Sequence, residues 1–502
     1  PRTGSGASFG PLRPRAPPPP SCDALGGAPF VAAREGAALR MEGSRWEISK
    51  CDLTKFQMME EMNEPLLDSS RGRRGDAALP MWPLYGLSFL RALALAVASL
   101  PACSLRVQEL VLAAGGDGAS TALAIGLISA CRHVAEFVAG HFLSSWSDKV
   151  GRQPALLVSC AAFVVESAFM ALCSSPWLLG AAHVFGGFLF TGGTVESLSI
   201  EDRIKDEDES ASAHGRLFAS VGVALMFGPA LGGSLALRYG GAAPFAFAHV
   251  LGLVAVAGVG SCLPEYISTR TLRRRSVRRV SWDVPENGQV DNSILQVLRR
   301  APRLRWTCCA LALNGLGMAV FAAIDVLWMQ AAFGWDGHQL GVFMGYSTFL
   351  QLASQAFLLP CLLKALSGRE TIIAKICLVT NALKFIGFAS AEDHRWMFLT
   401  LVAATPGYCG TPILVNLCTK QLSQAQQRRW TLALSILNTV ASALGALVGS
   451  CMLAEGLRGF RSLGMPLLFA AACYFLAGAC VAQAERYRPA NAVGRKGAGD
   501  GR

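Results

Sequence analysis

The sequence predicts an all-α membrane protein: twelve transmembrane helices in two pseudo-symmetric six-helix bundles. Three observations carry that prediction. The 502 residues are 52% hydrophobic and only 16% charged, where an average soluble domain carries about 25% charge, and the mean hydropathy is +0.39. So little charge cannot coat so much apolar mass in water. Apolar runs near the roughly 20 residues needed to cross a bilayer recur twelve times along the chain. The cations, finally, gather in alternate connections between those runs, as membrane topology requires.

The runs are 83–103, 119–142, 154–173, 177–199, 215–237, 243–263, 306–333, 339–363, 371–390, 396–419, 431–453 and 464–484. They are too continuously apolar for barrel strands, which alternate, so helices must satisfy the backbone in lipid. Residues 1–80 hold PLRPRAPPPP, several glycines and the basic Arg71, Arg73 and Arg74, and read as a disordered cytoplasmic tail. Met41 is a candidate initiator, and no apolar stretch with a cleavage site precedes residue 81, which predicts no signal peptide. The longest polar gap, 266–305, divides the chain into an N-terminal bundle (81–265) and a C-terminal bundle (306–486), followed by a tail at 487–502.

That gap is a basic cytoplasmic linker with ten arginines: 270, 273, 274, 275, 278, 279, 299, 300, 303 and 305. With the N-terminus inside, the inner loops carry 20 Lys and Arg (two, three, ten, two and three in chain order), against five in the outer loops. This places both termini in the cytoplasm. Topology thus accounts for the net charge of +11, and no nucleic-acid partner is expected. The linker cations can meet anionic headgroups, and Arg278-Arg279-Val280-Ser281 has the pattern of a basic-directed phosphorylation site. Of the 16 cysteines, 14 lie in or beside apolar runs without metal-like spacing; they read as small hydrophobes, and no metal or cofactor is implied.

The most specific motif joins the second and third runs: Ser144-Ser145-Trp146-Ser147-Asp148-Lys149-Val150-Gly151-Arg152-Gln153. It resembles the signature loop of the major facilitator superfamily, G-x-x-x-D-[RK]-x-G-R-[RK]. Asp148, Lys149, Gly151 and Arg152 match, Ser144 stands for the opening Gly and Gln153 for the last base. A glycine suits a tight turn between antiparallel helices, and an Asp–Arg pair at helix ends can latch one conformation and release another. His183-Val184-Phe185-Gly186-Gly187 resembles the family's R-x-x-x-G element with His in place of Arg, which hands that position a titratable imidazole. Gly228-Pro229-Ala230-Leu231-Gly232-Gly233 resembles its GPxxGG element, associated with antiporters, and predicts a bent, closely packed helix. Leu263-Pro264-Glu265 resembles the ending of its sixth helix. Asp202, ending the fourth run, and His214-Gly215, opening the fifth, resemble the tetracycline-efflux-like branch and its hippocampus-abundant-transcript-like relatives; Phe89-Leu90-Arg91-Ala92-Leu93 carries Arg where that branch has Asp. Gly368-Arg369 echoes Gly151-Arg152 at a separation of 217 residues, a six-helix half plus linker.

Ionisable residues at membrane depth are costly and face interiors or pathways. Here they are Arg91, Arg132, His133, Glu136, Glu166, His183, His249, Asp325, Lys375 and Lys384. Arg132 and Glu136, four apart, can pair on one helix face. The resemblance implies that helices one, four, seven and ten line the cavity, which favours Arg91, His183 and Asp325. Arg91, Arg132, Glu136, Glu166 and Asp325 are the substrate or proton candidates. Together these readings point to a secondary transporter of a small organic solute, proton-coupled and of the antiport type, monomeric, with solute, H⁺ and the bilayer as partners. The alternatives are a transporter-like receptor or scaffold and a membrane-embedded enzyme; no clustered catalytic set or HxxxH favours an enzyme.

Overall fold

A computed structural model describes residues 81–99, 101–190, 193–204, 206–263, 301–366, 369–422, 424–459 and 462–487. The N-terminal tail with Met41, most of the basic linker with its Ser281 motif, Pro264-Glu265, Lys205, Gly368 and residues 488–502 lie outside the described residues. Within them the secondary structure is helical, with no strand.

Among the described residues, ten helices are long and apolar enough to cross a membrane, or eleven if one bent pair is counted as a span. Several of the twelve expected runs are interrupted by breaks whose causes are local. The first run is α1 (Trp82–Ser99) and α2 (Ala102–Ala113), parted at Pro101, which lacks the N–H a continuing helix needs. The second and third runs are α3 (Gly118–Val150) and α4 (Arg152–Leu172). The fourth run is interrupted within the described residues. It divides into α5 (Pro176–Gly187) and α6 (Thr194–Arg203), and Gly193 enters α6 at φ 81°, a left-handed conformation suited to glycine. Next come α7 (Glu207–Tyr239) and α8 (Ala243–Cys262).

The second half begins with α9 (Pro302–Phe333), which starts inside the stretch expected to be linker. Then come α10 (Gly337–Ala353), a π-turn over Ser354–Leu358 and α11 (Leu359–Ala365). α12 (Glu370–Ala389) follows. The tenth run is α13 (His394–Ala403), a 3-10 turn over Thr405–Cys409 and α14 (Gly410–Thr419), bent by 51° at the break, where Pro406 interrupts the hydrogen-bond ladder. The chain of helices closes with α15 (Gln424–Leu457) and α16 (Met465–Arg486).

Large apolar side chains such as Leu172 (85% exposed), Phe357 (74%) and Phe142 (63%) point outward, a surface suited to acyl chains and not to water. Inside, small residues set the spacing, as expected where lipid supplies no hydrophobic drive between helices. Gly228 abuts Ala96, and Gly232 abuts the carbonyl of Val97, so α7 runs parallel to α1. Gly445 and Gly449 likewise press α15 onto α9 at Ala319 and Val320. A separation of 217 residues relates 228 to 445 and 232 to 449, the same as that between the Gly-Arg motifs at 151 and 368.

The halves meet along two antiparallel pairs, α7 with α10 and α3 with α15. Along the first, Gly233 abuts the carbonyl of Gly337, Gly345 abuts that of Met226, and a Cβ on Gly341 would lie 2.6 Å from Ala230 Cα. Ser234 Oγ and His338 Nδ1 share a hydrogen bond of 2.8 Å across the same seam. Further along, the spacer is no longer backbone: Gly222 faces the side chain of Leu352. The backbone-to-backbone contacts of this pair thus lie toward the end of the bundle away from Asp148. On the second pair, Gly126 meets Ser450 and Gly118 meets Leu457, again at the end away from Asp148.

Candidate functional site

At the motif end, α3 runs helically through Ser144, Asp148 and Lys149 to Val150, so the expected loop shrinks to one residue. Gly151, at φ 120°, makes that single-residue joint between α3 and α4. The joint puts Arg152 one turn from Asp148, and Arg152 Nη2 lies 2.8 Å from Asp148 Oδ1. Arg152 Nε also binds Asp202 Oδ2 at 2.9 Å, and Nη1 donates to Ser147 Oγ. One guanidinium thus joins α3, α4 and the end of α6, and both Asp148 and Arg152 are buried. Gln153 instead donates to the carbonyl of Val259 at 3.2 Å, on α8. An open cavity lies next to Asp202, lined by Glu201, Ile204, Asp206, Ser210, His214 and Phe218.

Deeper in the first half, Arg132 is a hub. Its Nε binds Glu136 at 2.7 Å and its Nη1 binds Glu166 at 2.7 Å, joining α3 to α4. Nη1 also donates to the carbonyl of His183 on α5, and His183 Nδ1 lies 2.7 Å from Glu166 Oε1. The neighbouring glycines make room for this. A methyl at Gly186 would collide with the Glu166 carboxylate, and one at Gly187 would lie 2.8 Å from Arg132 Cδ. Glu166 and Arg132 are buried, which makes their pairing obligatory in lipid.

A second buried pair lies beside it. Arg91 on α1 binds Glu196 on α6 and lies 3.5 Å from Ser159 Oγ. Phe190, at the break between α5 and α6, connects the two sites: its ring centroid is 5.8 Å from the Arg91 guanidinium carbon and 5.7 Å from that of Arg132. Taken together, the groups are Arg91, Arg132, Glu136, Glu166, Glu196 and His183. With the acids ionised they sum to one excess negative charge, which a single proton on His183 cancels.

Comparison with known proteins places this geometry in a family. A profile of the Major Facilitator Superfamily matches residues 87–450. The chain belongs to the Major Facilitator Superfamily. It is 25% identical over 365 residues to tetracycline resistance protein, class C, of Escherichia coli, covering 70% of this chain and 85% of that protein. It is 22% identical over 277 residues to hippocampus abundant transcript-like protein 1 of Bos taurus, covering 55% of this chain and 54% of that one. Its fold matches the crystal structure of the nucleoside transporter NupG with a TM-score of 0.60 at 14% identity, over 81% of this chain and 99% of the other.

In this member of the superfamily the residues expected from sequence separate into distinct places. Asp148, Arg152 and Asp202 meet at the motif end, while Lys149 enters none of these bonds. Arg132, Glu136, Glu166 and His183 converge with Gly187 behind them. Gly228, Pro229, Gly232 and Gly233 form packing surfaces against α1 and α10. Asp325 stands apart in the second half, buried, its Oδ1 accepting from the backbone N–H of Val326 at 2.7 Å. His249 Nδ1 pairs with the carbonyl of Val164 at 2.9 Å, a helix-to-helix tie. Glu196 and Phe190 were missed. The available signal for Glu196 was an acidic residue within the fourth apolar run, matching a basic one within the first.

Proposed function

We propose that the protein is a secondary active transporter that moves a small organic solute by alternating access, exchanging it against protons, with the Asp148 end and both termini in the cytoplasm. The observation that carries the reading is the close seam between halves at the end away from Asp148. Helices α7 and α10 touch backbone to backbone there, as expected of a carrier closed on its outer side. The ion triad of Asp148, Arg152 and Asp202 ties together three helices of the first half at the other end, so it stiffens the body that must rock as a unit. The basic excess of the inner loops supports the orientation.

Proton coupling is assigned to the His183–Glu166 pair, held by Arg132. Its excess negative charge is removed by one proton, and a neutral cluster suits a low-dielectric interior. An exchange cycle then needs that proton to leave before solute binds from the other side.

The experiment is reconstitution of the purified chain in sealed vesicles under an imposed pH gradient, with an internal pH dye and a panel of solutes. A transporter changes solute flux or dissipates the gradient. A chain that does neither is a scaffold, and the reading fails. Asp148→Asn is expected to slow turnover by about tenfold or more, since it removes the charge from one arm of the triad; full-speed transport would remove the triad from the mechanism. Glu166→Gln is expected to end proton movement while solute-for-solute exchange continues; proton movement persisting in that variant places coupling elsewhere.

A further inference from the structure

Among the described residues, Lys384 lacks the partner that several cations of this chain hold. Arg91, Arg132, Arg152, Lys375 and Lys420 each hold a carboxylate. Among the described residues no carboxylate makes an ion pair with Lys384, which lies half-buried on α12. Its Nζ sits 4.6 Å from the Phe385 ring centroid and 5.1 Å from that of Tyr408. The rings stabilise the ammonium through their faces but leave its N–H donors without acceptors. A lysine near a membrane rim would extend toward the headgroups. This one instead reaches Tyr408, near the middle of the bent span formed by α13 and α14.

The surroundings of Lys384 are built. Tyr408 belongs to the 3-10 turn that breaks this span, and its hydroxyl shares a 2.7 Å hydrogen bond with Ser347 Oγ on α10. One turn before Lys384, Asn381 donates to the carbonyl of Gly407 at 2.9 Å and fixes the turn against α12. The ammonium thus lies against the ring whose hydroxyl bonds Ser347, where α12, the 3-10 turn and α10 come together.

We propose that Lys384, Tyr408 and Ser347 bind the anionic group of an amphipathic organic acid, with Phe385 and Tyr408 flanking its apolar body. The proposal rests on the transporter reading for its purpose, since it names the class of solute carried. The chemistry recognised, a single anion on an apolar body, is shared by soluble acids and by anionic lipids. The site is assigned to a soluble acid because Lys384 points to mid-span.

The test is calorimetric titration of the purified full chain in neutral detergent, using 1-naphthoate as probe and 1-naphthamide as its uncharged counterpart. Naphthoate is expected to bind at least about tenfold more tightly than naphthamide, and Lys384→Met to remove that preference while Lys384→Arg keeps it, as loss and retention of a charge-assisted hydrogen bond require. Equal binding of the two probes, or unchanged naphthoate binding by Lys384→Met, overturns the proposal. Displacement of naphthoate by phosphatidylglycerol but not by phosphatidylcholine assigns the site to lipid and also overturns it. The wild-type chain gives a second readout that needs no variant. Naphthoate, and not naphthamide, should slow acetylation of Lys384 by an N-hydroxysuccinimide ester, followed by mass spectrometry; no protection overturns the proposal. Naphthoate binding with no transport in vesicles would sink the transporter reading and leave the anion site standing.

Discussion

In the first half of the molecule Gly228 and Gly232 press α7 onto Ala96 and Val97; in the second Gly445 and Gly449 press α15 onto Ala319 and Val320. A separation of 223 residues carries Ala96 to Ala319, Val97 to Val320 and also Arg91 to Asn314. The chemistry at that last position has changed. Arg91 reaches across to the carboxylate of Glu196, whereas Asn314 donates to the hydroxyl of Thr411 at 3.0 Å. Backbone contacts have been kept where charge has not. Close packing between parallel helices depends on there being no side chain at the glycine, and admits few substitutes. A polar tie between helices can be made by ions or by neutral groups, and is free to diverge. The first half thus holds a charged network, while the corresponding tie of the second is neutral.

The largest expected contrast comes from deleting the hub of the charged network. Arg132→Met leaves Glu166 buried beside Glu136 without their cation, and should cost about 3–5 kcal/mol of stability in detergent. Asn314→Ala, at the neutral tie, should cost about 0.5–1.5 kcal/mol. Thermal unfolding of both variants measures the difference, and equal losses would abolish the distinction between halves.

A smaller effect tests what the halves share. Gly232→Val and Gly449→Val each drive a side chain into a carbonyl of the neighbouring helix, at Val97 and Val320. Each should cost about 1–3 kcal/mol by overpacking, and the two losses should agree. A clear disagreement would mean that the shared register does not reflect shared mechanics.

The smallest effect is expected at an exposed pair of the second half. Lys420, 59% exposed, holds Glu370, and Lys420→Ala should change stability by about 0.5 kcal/mol or less. Arg152→Ala, which removes a buried guanidinium from the buried Asp148, should lose several times more; similar losses would show that burial does not separate these ion pairs.

Much of this architecture is visible in sequence because lipid imposes a one-dimensional rule: a span needs an apolar run of fixed length. That rule located α3, α4, α7, α8, α9, α12, α15 and α16. It failed where the backbone stops being regular. Nothing in an apolar count reveals that helix α5 ends at Gly187, inside the fourth run, or that Pro406 bends the tenth. It also ended α3 too early, because Ser144–Lys149 is polar and still helical. At the site, the i, i+4 spacing made Arg132–Glu136 legible. The bonds from Arg132 to Glu166 and from Arg91 to Glu196 join helices distant in sequence, and only the fold brings them together.

Phe190 has a consequence beyond its own contacts. Because both guanidiniums lie near one phenyl ring, its withdrawal raises the free energy of two separate ion pairs in the same motion. The ring stands just beyond the end of α5, before α6 begins. Anything that swings this short stretch of chain is therefore felt simultaneously by α1 through Arg91 and by α3 through Arg132, which makes a single aromatic side chain the thermodynamic link between the pair on α6 and the hub on α3.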